Sequence, residues 1–175
     1  GKHTVTMKLL NCIVLIQIIF LVVEFCSAQN VSSFEGTWSE NEGSRVNFQE
    51  VMTELGISED VIKVYIQGIL ATLNIFYTPT AFTYAITGND PRSKTFGFLI
   101  RKNQEQLEPV DIFGKTYWSL SNYTNKTLQM FIYKEEDIEA SFITMKMDIT
   151  EMGFLKFSVQ APNFSQKAFT LFHKL

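Results

Sequence analysis

The sequence predicts a mainly β protein: an antiparallel up-and-down β-barrel of about ten strands, with a helix–turn–helix lid between the first two. Three observations lead there. From Leu73 onward, apolar residues recur with period two in short runs, broken roughly every ten residues by turn formers. Just before that region lie two stretches whose apolar residues follow a helical period. Ahead of both stands a Gly-x-Trp segment, Gly36 to Trp38, that reads as a strand.

The chain opens on what reads as a processing signal. Lys8 follows Met7, the run from Leu9 to Val23 is almost wholly apolar, and Cys26-Ser-Ala28 offers small residues for cleavage. The apolar run is shorter than the roughly 20 residues a spanning helix needs, and Glu24 ends it. The expected division is residues 1–28 as upstream residues and signal peptide, and residues 29–175 as the barrel domain, secreted to the extracellular space. Cys12 and Cys26 both leave with the signal, so the mature chain is expected to hold neither thiol nor disulfide. Four Asn-x-Ser/Thr sequons agree with secretion: Asn30, Asn122, Asn125 and Asn163. The last three fall where hairpin turns are expected, places that tolerate a glycan.

The first strand is expected over residues 34–40, followed by a loop at 41–44. Asn47 suits the N-cap of the first helix, and Glu50 stands at capping-box distance from it. Phe48, Val51, Met52 and Leu55 form one apolar stripe, and Gly56 suits a left-handed stop. Ser58 can cap a second helix, with Glu59 and Asp60 favourable in its first turn. That helix carries Val61, Ile62, Tyr65, Ile66 and Ile69 on a broad apolar face, and about two residues join the pair. The remaining strands are expected at 73–78, 81–87, 94–101, 107–112, 115–121, 128–134, 140–149, 154–160 and 166–173. The breaks between them carry Pro79, Gly88 to Pro91, Gly114, Asn122 to Asn125, Glu135 to Asp137, Gly153 and Pro162-Asn163.

Composition narrows the function. Apolar residues make up 46% of the chain, enough for a sizeable core. The net charge of -3 and the lack of a clustered basic stretch give no basis for a nucleic-acid partner. Nothing reads as an enzyme. His173 stands alone near the end of the last strand, the mature chain offers no cysteine nucleophile, and no His/Cys cluster has zinc-ligand spacing. Glu105, Glu108 and Asp111 read as a solvated face. The acidic run Glu135 to Asp137 reads as a solvated turn, since a calcium loop supplies about six to eight oxygens. No catalytic residue, metal or cofactor is assigned.

Gly36 and Trp38, followed by Asn47, Phe48, Val51, Met52 and Leu55, resemble the opening of fatty-acid-binding proteins, the intracellular lipid-binding branch of the calycin superfamily. The resemblance covers residues 34–175. The chain departs from the pattern at Gln49, where the family usually has an acid, and at Glu40, where it favours an apolar residue. It also carries about two extra residues before the helix, and its signal peptide would make it a secreted form.

The resemblance implies a ligand in the barrel lumen beneath the helices. On that basis Phe48, Met52, Val61 and Tyr65 are portal residues, and Phe157 and Val159 face the lumen. Lys156, Ser158 and Gln160 alternate with that pair and are expected to face water. Many relatives carry Arg-x-Tyr on the last strand to hold a carboxylate; the matching positions here are Thr170 and Phe172. Lys146 and Lys156 sit on outward rows and are no substitute for the arginine. The expected function is a secreted lipid-binding protein that carries a fatty acid or neutral lipophile without the Arg-x-Tyr clamp. Its preference for a carboxylate should be weak, because a buried unpaired carboxylate is heavily penalised. Thr170 would offer one hydrogen bond to a hydroxyl or carbonyl. The expected partners are a small hydrophobic ligand or lipid and, transiently, a membrane, with the protein a monomer.

Lipocalins proper also begin with Gly-x-Trp, are secreted, and bind small hydrophobic molecules. The early helix pair, the lack of a Thr-Asp-Tyr turn and the lack of a long helix after the last strand favour the fatty-acid-binding type. A barrel that acts mainly through protein or membrane contacts is the remaining alternative. Only Lys63 lends positive charge to the second helix, so strong attraction to anionic lipid is not expected.

Overall fold

Period-two alternation is realised in ten antiparallel strands forming one sheet. They are β1 (Gly36–Glu40), β2 (Ala71–Thr78), β3 (Ala81–Gly88), β4 (Phe96–Arg101), β5 (Glu108–Ile112), β6 (Lys115–Tyr123), β7 (Thr127–Tyr133), β8 (Ile143–Ile149), β9 (Leu155–Gln160) and β10 (Ala168–Lys174). Two helices, α1 (Phe48–Glu54) and α2 (Glu59–Ile66), lie between β1 and β2. The computed structural model describes residues 33–66, 69–78, 80–89, 96–112, 115–124, 126–134, 141–161 and 167–175, and Phe34–Leu175 forms one unit. The expected signal segment, Asn30, Asn125, Asn163 and the acidic run at 135–137 lie outside the described residues.

Neighbouring strands follow chain order except at one place, where β1 joins β10 and brings the first and last strands together. Trp38 there stands opposite both Leu73 and Lys174. β4 and β5 end the hydrogen-bonded order, so the barrel is nearly closed rather than sealed. Across that seam the Arg101 N–H donates to Ser121 Oγ on β6 at 2.8 Å, and the Gln104 N–H donates to the Ser121 carbonyl at 3.2 Å. The exposed Arg101–Glu108 pair at 3.2 Å also spans the loop and adds little in water.

Gly36 and Trp38 have a local reason to occur together. Gly36 has a φ of +132°, and a Cβ there would lie 2.8 Å from Lys174 Cε. Its bare backbone lets the lysine stem cross the strand, so that Nζ stands 5.4 Å from the centre of the Trp38 ring system. The indole N–H donates to the Phe34 carbonyl at 2.9 Å, which satisfies the one polar atom of a buried side chain.

At the strand ends away from the helices, aromatic rings fill the barrel. Phe82 meets Phe34 with ring centres 6.1 Å apart, Tyr77 at 4.8 Å and Tyr123 at 4.9 Å. Leu128, paired with Tyr123 of this plug, has no exposed surface.

α1 buries Val51 and Met52, and α2 buries Ile62, as their stripes require. Gly56 stops α1 in the left-handed region at φ 68°, with Ile57 N–H donating to the Met52 carbonyl at 3.1 Å. Two local expectations are corrected here. Asn47 does not cap α1 through its side chain: it is itself left-handed, with φ 57°, and its Nδ2 donates instead to the Lys167 carbonyl at 3.3 Å. Pairing of Val46 with Phe169 on β10 holds the chain in a geometry from which the Asn47 side chain does not reach the helix. The link between the helices runs from Leu55 to Ser58, longer than the two residues expected. Asn122 is also misplaced by sequence: it lies inside β6, paired with Gln129, because the strand continues to Tyr123 before it turns.

Candidate ligand-binding site

The strand ends nearest the helices are built differently from the aromatic plug. There the inward rows of the strands do not meet across the lumen, and an apolar cavity of about 180 Å³ remains beneath α1 and α2. β8 contributes Ile143 and Met145, β9 contributes Phe157 and Val159, and β3 and β4 contribute Ile86 and Phe98. Phe48 of α1 stacks on Phe157 of β9, with ring centres 6.4 Å apart and planes 18° off parallel, so the lid is seated directly on the wall.

Seven of the eight residues expected at the ligand site line this cavity: Phe48, Met52, Tyr65, Phe157, Val159, Thr170 and Phe172. Val61 does not. It lines a separate groove of about 250 Å³, where the α1–α2 link meets Ile112 of β5, Lys115 and Tyr117 of β6 and Ile143 of β8. The helical period places Val61 and Tyr65 on one side of α2, one turn apart, and that turn is enough to put them against different spaces. The groove and the cavity share Leu55, Ile57, Ile112 and Ile143 as walls.

The outward rows behave as expected for the lysines. Lys146 pairs with Asp148 at 3.0 Å, and Lys156 Nζ sits 4.3 Å above the Phe169 ring. Ser158 on the same row departs from the expectation: neighbouring side chains cover it, it is buried, and its hydroxyl donates to the Lys146 carbonyl at 3.4 Å. His173 lies at the exposed rim, 2.6 Å from Asn41 Oδ1.

The chemistry of the cavity lies in residues that sequence reasoning did not place there. Glu40, at the end of β1, is only 2% exposed and turns inward on the same row as Trp38. Its carboxylate accepts four hydrogen bonds. Arg45 Nε and Thr170 Oγ1 donate to Oε1 at 2.6 and 2.7 Å, and Arg45 Nη2 and the Ala71 N–H donate to Oε2 at 2.5 and 2.8 Å. Those four donors fill the lone-pair directions a carboxylate offers. Arg45 also donates from Nη1 to the Tyr65 carbonyl and from Nη2 to the Ile69 carbonyl, tying the C-terminal end of α2 to the barrel.

The extra residues before α1 make this possible. After Glu40 the chain keeps contact with β10 through the Asn41 N–H to the Leu171 carbonyl at 2.8 Å and the Val46 N–H to the Phe169 carbonyl at 2.9 Å. The residues between bulge away from the ladder. Ser44 Oγ takes up the Leu171 N–H at 3.1 Å and lies 2.7 Å from Thr170 Oγ1, while Arg45 turns beneath α2. Thr170 therefore does not hold a free hydroxyl for a ligand, as sequence had suggested: its hydrogen is committed to Glu40. The available signal was strand parity, because Glu40 shares the face of the buried Trp38, and an inward acid needs a cation.

A second polar atom lies deeper. Tyr84 has no exposed surface, and among the described residues its hydroxyl has no hydrogen-bond partner. Its ring stacks on Phe98 at 5.0 Å, and burial pushes the phenol well above its usual range. Tyr84→Phe is expected to raise the unfolding free energy by about 1–3 kcal/mol, the cost of an unmet buried donor. The same variant should flatten the alkaline limb of stability. Above the ordinary phenol value of 10.0 the unfolded chain releases this proton while the folded chain keeps it, so wild-type stability falls as pH rises. Urea titrations of both proteins at neutral and alkaline pH check both effects.

No protein-family model matches the chain, and no curated protein matches it. Solved structures do. A Schistosoma mansoni fatty acid binding protein in complex with arachidonic acid superposes with a TM-score of 0.67 over 83% of this chain and 98% of its own, at 16% identity. The chain has the fold of the fatty-acid-binding proteins. Apo lipid binding protein 8 of Caenorhabditis elegans shares that fold at a TM-score of 0.67 and 17% identity, over 82% of this chain and 96% of its own. So does the fatty-acid-binding protein of Drosophila melanogaster brain, at 0.62 and 14%, over 78% and 95%. In the fatty-acid-binding-protein fold of this chain, the apolar half-lumen with its Glu40–Arg45 pair is the candidate site.

Proposed function

We propose that the chain is a secreted, monomeric carrier that holds a lipophilic molecule in the half-lumen beneath α1 and α2, without an Arg-x-Tyr clamp and without catalysing a reaction. The observation that carries this reading is the cavity itself: it is walled almost wholly by apolar side chains in a barrel whose other half is filled. Each buried methylene of a ligand contributes about 0.8 kcal/mol, so a short aliphatic segment is enough for useful affinity. At about 180 Å³ the space falls below the roughly 300–1,000 Å³ of drug-sized pockets, which favours a compact cargo or one held by part of its chain. Met52 and Met145 in the wall are unbranched and re-seat at low cost, letting the volume adapt. The neighbouring groove beside Val61 is the proposed route of access, since it shares walls with the cavity.

The proposed removal of residues 1–28 and glycans at Asn30, Asn122, Asn125 and Asn163 are checked together. The full chain is expressed in a secreting eukaryotic host, followed by N-terminal sequencing and glycosidase digestion of the protein in the medium. Mass spectrometry of lipid extracted from that protein tests the cargo: recovery of a lipophile at near-equal molar ratio is expected, and protein that neither carries nor takes up any lipophile would refute the reading. Met145→Trp, which fills the cavity from the wall, is expected to weaken binding of a fluorescent lipophilic probe at least about tenfold, with the fold retained by circular dichroism.

A further inference from the structure

We propose that Glu40 sets the chemical class of cargo: by neutralising Arg45 within the cavity wall, it makes the site select a lipophile whose polar end is an uncharged acceptor oxygen, such as an ester, ketone or hydroxyl, over one ending in a carboxylate. The inference rests on the carrier reading above.

Arg45 is a cation in an apolar cavity and would by itself attract a carboxylate. Glu40 occupies it first. Two of the five guanidinium N–H groups point at the Glu40 oxygens, and two more at the Tyr65 and Ile69 carbonyls. That leaves one Nη1 hydrogen without an acceptor among the described residues, on a side chain that lines the cavity. A ligand oxygen can accept from this hydrogen. A carboxylate in the same place would lie close to the Glu40 carboxylate, and that like-charge contact would be poorly screened by an apolar wall. Glu40 cannot turn aside to relieve it, because Thr170 and the Ala71 backbone hold its remaining lone pairs and its side chain is almost wholly buried. The pair therefore presents a donor without net charge.

The experiment uses the full chain purified from the secreting host and stripped of lipid. A straight-chain fatty acid, its methyl ester and the alcohol of the same length compete with a fluorescent probe at neutral pH. The ester and the alcohol are each expected to bind wild type at least about tenfold tighter than the acid. Glu40→Gln keeps the shape and frees the cation, so the acid-to-ester affinity ratio should rise at least about tenfold. Arg45→Gln leaves the carboxylate alone in the wall, so the same ratio should fall below the wild-type value. A side pair with a purely structural role would move all three ligands together and leave the ratio unchanged. Wild type that prefers the acid, or an unchanged ratio in both variants, overturns the proposal. Should Glu40→Gln fail to fold, the wild-type ranking and the Arg45→Gln ratio decide it. Wild type that binds none of the three ligands defeats the carrier reading itself, whereas tight ester binding with an unchanged ratio defeats only the role of Glu40.

Discussion

Arg45→Met is expected to lower the unfolding free energy by about 3–5 kcal/mol, the cost of breaking a buried ion pair from one side. The variant leaves the Glu40 carboxylate, which has almost no contact with water, holding only the Thr170 hydroxyl and the Ala71 N–H. It also strips the guanidinium from the Tyr65 and Ile69 carbonyls, so the end of α2 loses its tie to β1. Arg45 keeps 24% of its side chain exposed, which places the expected loss toward the lower end of that range. Equilibrium urea unfolding, with the slope checked for two-state behaviour, measures it. The double variant Glu40→Met/Arg45→Met should be more stable than Arg45→Met alone, because it removes the orphaned charge along with its partner. A loss below about 1 kcal/mol for Arg45→Met would mean that the pair behaves as solvated surface.

Phe82→Ala is expected to cost about 3–5 kcal/mol and to change what the barrel can hold. The ring has no exposed surface and stands among Phe34, Tyr77 and Tyr123, so its removal leaves a void that three rigid aromatic neighbours cannot fill by rotating. The void lies on the same inward row of β3 as Tyr84 and Ile86, and Ile86 already lines the cavity. The occupied length of the lumen should therefore grow toward the plug. Two measurements separate the effects: a fall in urea midpoint for the packing loss, and a shift of the preferred ligand toward longer chains in a homologous series of esters. A ligand preference unchanged despite the lost stability would show that the lower barrel collapses into the space.

Much of the architecture was legible because it depends on residue spacing alone. A strand shows alternate residues to opposite faces, so runs such as Leu128, Met130 and Ile132 announce both the strand and the side it buries. The helical stripes of α1 and α2 announce their seated faces in the same way. Seven of the expected ligand-site residues line one cavity for this reason: they are inward positions on elements whose parity was read correctly. Val61 escaped because spacing gives a face but not which of two adjoining spaces each residue on that face will line. Asn47 escaped because pairing of Val46 with β10, a contact 123 positions away in the chain (169 minus 46), overrides a local capping preference.

By itself the sequence determined the ten-strand pattern, the helix pair inserted after the first strand, and the inward parity of Glu40. These follow from the pleat and the helical repeat, which act over a few neighbouring residues. The tertiary structure alone decided that half the lumen is plugged and half hollow, and that Arg45 meets Glu40 there. Both depend on which distant rings and carbonyls converge when β1 closes onto β10, and the energy of a buried charge depends on that convergence rather than on its place in the chain.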